Sequence, residues 1–316
     1  MTKPFKTYNQ QLKILRNRGL EIKNGSKTIK ILKCENYYSI INGYKNIFLI
    51  PNSNPEMYKS GTTFEDIYSL FDFDREIRVL FLKYILKIES LINTKISYFF
   101  SQKYSGDFSY LNINNFNPNK LEQSTGLIAN LSNVIKDKSK IKNKSSKKID
   151  NQISHYLSKH KTLPLWVLMR HLTFGITAYF YSSITDDLRK AIVNEIIVSY
   201  NKEYNLKIKN ITSDHLENII YFLSFFRNKC AHNERLFNLT KSKTTISYPH
   251  TTEIFNGKLF DLTIIFKLFL FKKDYRKFMA DLKYYIFELK KELDGSIFNK
   301  VLIEMGFPKD WEDRLK

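Results

Sequence analysis

Apolar residues recur along most of this chain at three- and four-residue intervals, the spacing of one helix face, and the alternation of a half-buried strand is scarce. The strongest run spans Phe64 to about Gln102. There Ile67, Phe71, Ile77, Leu80, Tyr84, Ile85, Ile88, Ile92, Ile96 and Phe99 predict a core helix of many turns, with Asp72 to Asp74 marking a candidate break. Before it, Thr7-x-x-Gln10 reads as a capping box that opens a short helix ending at Gly19. A second helix is predicted from about Thr28 into Asn36-Tyr37-Tyr38, ending near Asn42-Gly43-Tyr44, and Pro51, Pro55 and Gly61 make residues 45–62 a linker or long loop. After the long run come a loop over 106–118, a weaker helix from Lys120 to Ile135 and a further short helix. Leu163-Pro164-Leu165-Trp166 then opens a helix that passes Gly175 and ends near Ser183. Asp186 to Tyr200 is amphipathic, and Asp214-x-x-Glu217 caps a helix whose buried face is Ile219 to Phe226. Residues 238–257 read as irregular, and one or two helices over Leu259 to Leu293 precede the closing Ser296 to Trp311 segment. The expected class is all-α, with a helical extension over 1–62 and the main helical domain over 63–316.

Composition narrows the function. Hydrophobic residues make up 43% and aromatics 15% of 316 residues, enough for a sizeable core. The net charge of +20 favours a polyanionic partner, nucleic acid being the commonest, although the abundance of Lys, Asn and Ile also fits an AT-rich genome. The charge is concentrated at 136–148, where Lys136, Lys138, Lys140, Lys142, Lys144, Lys147 and Lys148 stand against one acid. Such a run is a solvated insertion or a phosphate-tracking arm. The ten glycines never fall closer than six residues apart, so neither G-x-G-x-x-G nor G-x-x-x-x-G-K-[ST] is present and dinucleotide and P-loop chemistry are excluded. Cys34 and Cys230 lack partners at metal or disulfide spacing, and no metal or cofactor is expected. The start of the chain lacks a signal-peptide h-region, and Leu259 to Phe271, broken by Asp261 and Lys267, is too short to span a bilayer. A cytoplasmic protein with no membrane contact is expected.

The candidate chemistry follows the Ile219–Phe226 run, at Arg227-Asn228-Lys229-Cys230-Ala231-His232. An imidazole can take or give a proton near neutral pH, a guanidinium offers phosphate a planar fork of donors, and an amide can orient either. On a continuing helix Asn228 and His232 share a face and Arg235 joins them, while Arg227 lies ~140° from His232. Arg227 and His232 therefore converge on one phosphate only if the helix ends near His232 or if two copies face each other across a two-fold axis. The bland counterpart is a helix C-terminus capped by basic side chains. Among lesser candidates, Cys230 reads as a small buried residue and Arg170-His171 as surface. Tyr37, Tyr38 and Tyr44 beside Lys30, Lys33 and Lys45 read as core tyrosines in preference to base-stacking ones.

The R-N-x-x-x-H spacing resembles the HEPN nuclease motif, and further elements occur in order. Gln10 with Gly19-Leu20, Asn36-Tyr37-Tyr38 with Gly43-Tyr44, Thr63-Phe64-Glu65 with Phe73-Asp74-Arg75-Glu76-Ile77-Arg78, Leu163-Pro164-Leu165-Trp166 with Phe174-Gly175, Arg227 to His232, and Gly306-Phe307-Pro308 with Trp311 together resemble the AbiD/AbiF-type abortive infection proteins of bacteria. The resemblance implies a HEPN-like helical bundle with additional C-terminal helices, a homodimer with the motif at its groove, and metal-independent endoribonuclease activity against phage. It assigns the catalytic motif to Arg227, Asn228 and His232. Some relatives are thought to hold a small structured non-coding RNA, so RNA binding without cleavage is the alternative; a DNA-binding regulator is a third, weaker reading. One position departs from the pattern: Arg170 stands where an acid is expected, which leaves Glu89 as the next candidate to orient Arg227.

Overall fold

The computed structural model describes residues 4–139, 151–208, 211–241, 246–249 and 251–315. These residues are helical with no strand; two isolated bridges, Glu21 with Thr63 and Leu49 with Tyr58, are the only β pairings among them. The helices are α1 (Tyr8–Asn17), α2 (Gly25–Glu35), α3 (Phe64–Lys103), α4 (Leu121–Lys138), α5 (Gln152–His160), α6 (Leu165–Leu168), α7 (Phe174–Ser183), α8 (Asp186–Tyr204), α9 (Ser213–Ala231), α10 (Leu259–Phe269), α11 (Lys272–Glu292), α12 (Gly295–Met305) and α13 (Trp311–Arg314). No described helix is long and apolar enough to cross a membrane.

The spine is α3, forty residues and about 60 Å long at ~1.5 Å per residue. Thr63 and Asp66 close a capping box at its start. It packs against α6, α8, α9, α10 and α11, so apolar residues are needed on most of its circumference. The candidate break at Asp72–Asp74 does not occur. Asp72 pairs with Arg75 one turn on, and Asp74 points into the core, where donors from elsewhere meet it.

Three other expectations are corrected. Helix α2 stops at Glu35, because Asn36 takes a left-handed conformation, and the chain continues through a wide turn at Tyr38–Asn42 and a tight one at Lys45–Phe48. The predicted single helix from Leu163 to Ser183 is two: α6 runs into a short turn at Met169–His171, then Thr173 accepts a bond from the Ile176 amide and starts α7 afresh. Helix α9 is capped by Thr212, which accepts from the His215 amide, and not by Asp214. Asp214 and Glu217 instead hold the buried Arg189 of α8 at 2.8 and 2.5 Å, tying α8 to the first turn of α9.

Candidate functional site

Helix α9 owes its position to an apolar face. Phe222, Leu223 and Phe226 are buried, and the Phe222 and Phe226 rings meet 4.8 Å apart. The helix stops at His232 because Asn233 adopts φ 55°. The Asn233 amide donates to the Cys230 carbonyl at 3.3 Å and the Glu234 amide to the Lys229 carbonyl at 3.1 Å. That pair of reversed bonds is the Schellman motif, with Asn in the left-handed position that glycine usually fills. His232 is thus the C-terminal cap of the helix, still bonded through its amide to the Asn228 carbonyl at 3.0 Å.

The turn separates the predicted residues. Asn228 and His232 are exposed, and neither side chain has a hydrogen-bond partner among the described residues. Arg235, expected on their face, is turned away, because the left-handed Asn233 reverses the chain before it; its guanidinium donates to the Gly43 carbonyl and lies over the Phe237 ring. Cys230 is buried, and desolvation pushes its thiol up to about 12.

The segment that follows the turn is clamped by α3. Asp74 accepts the Leu236 amide at 3.0 Å and the Phe237 amide at 2.6 Å, together with the Tyr44 hydroxyl at 2.7 Å. Arg78, one turn along α3, donates to the Glu234 carbonyl at 3.0 Å. Tyr44 packs on Phe71 and stacks on Phe237. Burial pushes the Asp74 carboxyl above its ordinary range, while Tyr44, the two amides and Arg78 pull it back. Three sequence elements, Gly43-Tyr44, Asp74 to Arg78 and Glu234 to Phe237, therefore form one support that sets where His232 stands.

Arg227 faces the other way, toward α3. Its Nε donates to Glu89 at 3.4 Å, and no partner among the described residues takes its two terminal nitrogens. Glu89 is buried, which pushes its carboxyl up; the neighbouring guanidinium pulls it down again. Both residues line a polar cleft of about 560 Å³ with Asn93, Trp166 and Arg170. Asn228 and His232 are not part of its lining. Within one chain, then, the arginine and the histidine of the motif open onto different surfaces.

From sequence, Trp166 marks a helix start and Arg170 a surface position; both lie in this cleft. Only the absence of an acid at 170 hints at it. The turn that carries Arg170 is fixed to α3, because Asn93 donates to the Met169 carbonyl at 3.5 Å and accepts the Thr177 hydroxyl at 2.7 Å. His171, next to it, is held below the usual histidine range by burial and by the charges of Lys138 and Arg170. Lys136 and Lys138 close α4 and are exposed, whereas Lys140, Lys142, Lys144, Lys147 and Lys148 fall outside the described residues. Of the tyrosine group, Tyr44 is core as expected, Tyr37 is half-buried and Tyr38 is exposed.

The model of the Abi-like protein family matches residues 30–238, more than half of the chain. The chain belongs to this family of abortive infection proteins. The matched region begins within α2 and ends one residue past the segment that Asp74 clamps; α10 to α13 lie beyond it. No curated protein and no solved structure matches the chain.

Proposed function

We propose that this abortive infection protein is a HEPN-type, metal-independent endoribonuclease whose site is completed by a second copy of the chain. One observation carries the reading: Arg227 is held at Nε by a buried carboxylate with its terminal nitrogens unclaimed, while His232, five residues on, is presented unpartnered on another face. A fork aimed this way suits a phosphate. An imidazole that must reach the same phosphate does so most simply from a partner across a two-fold axis. Helix α3 offers an apolar edge for such a partner, since the exposed Val79 (61%) and Leu86 (44%) lie one heptad apart and Leu86 lines the cleft.

In this arrangement one His232 takes the proton of a ribose 2′-hydroxyl, and O2′ bonds to phosphorus. The P–O5′ bond breaks, and the imidazolium so formed passes that proton on to O5′. The Arg227 forks, steadied by Glu89, stabilise the added charge on the phosphorane, and Asn228 bonds a phosphate oxygen or fixes the imidazole. The products are a 2′,3′-cyclic phosphate and a 5′-hydroxyl. The test is end analysis of RNA incubated with the purified protein in EDTA. Cyclic or 3′-phosphate ends are expected; a strict metal requirement or 5′-phosphate products would overturn the mechanism.

A second reading, RNA binding without cleavage, is favoured by the lack of any group among the described residues that orients the His232 ring. It predicts tight association with RNA that emerges uncut from the same incubation.

The lysine run is a phosphate-tracking arm in either reading. Its ends are pinned together, with the Asn151 amide donating to the Lys138 carbonyl at 2.9 Å, so residues 140–149 can be excised without stretching the chain. We expect melting temperature to stay nearly unchanged and RNA affinity to fall. The dependence of log K on log salt should flatten by ~0.7 for each single-strand phosphate that the arm no longer neutralises. An unaltered salt slope would return the run to a solvated surface.

A further inference from the structure

We propose that Trp166 and Arg170 form a nucleotide subsite beside the Arg227 phosphate position, Trp166 stacking a base of single-stranded RNA and Arg170 holding the adjoining phosphate. The inference rests on the RNA reading above and adds to it where the substrate lies. Trp166 is 57% exposed although its neighbours Leu165, Val167 and Leu168 are buried. The backbone under the indole is therefore fixed while the ring itself remains available, which is what a stacking platform requires.

Arg170 follows one helical turn later, on the same cleft wall. Among the described residues no carboxylate pairs with it, whereas Arg227 has Glu89. The cleft thus carries two guanidinium groups against one carboxylate, a net positive lining that favours phosphate over a neutral or cationic ligand. Asn93 fixes the Met169–His171 turn to α3, so the second cation sits on a rigid element and not on a loop tip. A volume near 560 Å³ leaves room for one nucleotide.

The chain contains two tryptophans, and the other, Trp311, is only 5% exposed in the core. Intrinsic fluorescence on ligand addition therefore reports mainly on Trp166. The probe is a short, mixed-sequence, single-stranded oligoribonucleotide with 2′-O-methyl groups, which binds but cannot be cut. We expect it to quench the wild-type emission. Trp166→Ala should weaken binding about tenfold or more, with Trp166→Phe retaining most of the affinity because a phenyl ring still stacks. Arg170→Gln should weaken binding and lower the salt slope by ~0.7, the share of one phosphate.

The outcomes separate this proposal from the nuclease reading. Quenching and a Trp166→Ala binding defect in a protein that leaves unmodified RNA intact would support the subsite and defeat the nuclease. Normal cleavage with no quenching and unchanged binding by Trp166→Ala would defeat the subsite alone. If light scattering shows that Trp166→Ala dissociates a wild-type dimer, the indole is an interface residue and the subsite is overturned. A wild-type protein that binds no RNA overturns both.

Discussion

His232→Ala abolishes RNA cleavage and cellular toxicity while leaving the fold intact. Each proton transfer that loses its side chain costs ~10²–10⁴ in rate, and a site whose imidazole acts first as base and then as acid loses both together. The fold is expected to survive, because the turn at this position is made by backbone bonds of Asn233 and Glu234 and the imidazole is exposed. A loss of stability within ~0.5 kcal/mol is typical of such a surface change. The companion variant is Arg227→Ala, with Arg227→Lys as a control that keeps the charge next to Glu89 but not the fork. Co-expressed chains, one lacking His232 and the other lacking Arg227, form a mixed dimer with one of each group. Cleavage by the mixture well above that of either single variant is the result a shared groove requires. Undiminished cleavage by well-folded His232→Ala would sink the chemical assignment, and a monomer that cleaves RNA would sink the shared site.

Much of the fold was legible because helices are local. The capping box at Thr7, the periodicity of α3 and the apolar face of α9 lie within a few residues of the bonds they describe. The stop at Gly19, with its left-handed φ of 83°, is local too. What stayed hidden depends on partners distant in sequence. Asp72 to Asp74 looked like a helix breaker because an aspartate in a core helix is costly; the groups that satisfy Asp74 come from residues 44, 236 and 237. Asp214 looked like a cap because its pairing with Arg189 of α8 cannot be seen locally. The split between α6 and α7 had a local signal, Thr173, which the apolar continuity from Leu165 to Phe180 masked.

The candidate site divides the same way. Arg227, Asn228 and His232 could be picked out by residue type and spacing, and Glu89 by its place on the long helix. Their directions could not, because one left-handed residue, Asn233, decides that His232 ends the helix and that Arg235 leaves its face. Apart from the missing acid at 170, Trp166 and Arg170 carry no sequence sign of sharing a cleft with Arg227, since α6 meets α3 only in the folded chain.

Asp74→Ala is expected to cost about 3–5 kcal/mol, the range for breaking a buried charged network by removing one partner, and to lower the melting temperature on the order of 5–10 °C. The carboxylate accepts two backbone amides and the Tyr44 hydroxyl in a fully buried setting, with Arg78 close by. Without it those donors are left in a dry interior with nothing to accept them. Part of the loss is offset because burial already disfavours the charged carboxyl, which holds its pKa above the ordinary range. Asp74→Asn isolates the cause: it keeps the volume but sets an amide donor among donors, so it should be nearly as damaging as alanine. Tyr44→Phe removes one donor and leaves the amides satisfied, at a cost of about 1 kcal/mol. If Asp74 acted only by filling space, asparagine would be tolerated and phenylalanine at 44 would match it. The functional consequence follows from what the carboxylate holds. Residues 234–237 form the anchor from which the Schellman turn presents His232. Asp74→Asn protein assayed well below its melting point should therefore lose cleavage out of proportion to the fraction unfolded. Cleavage that merely tracks the folded fraction would mean that the clamp stabilises the bundle without positioning the histidine.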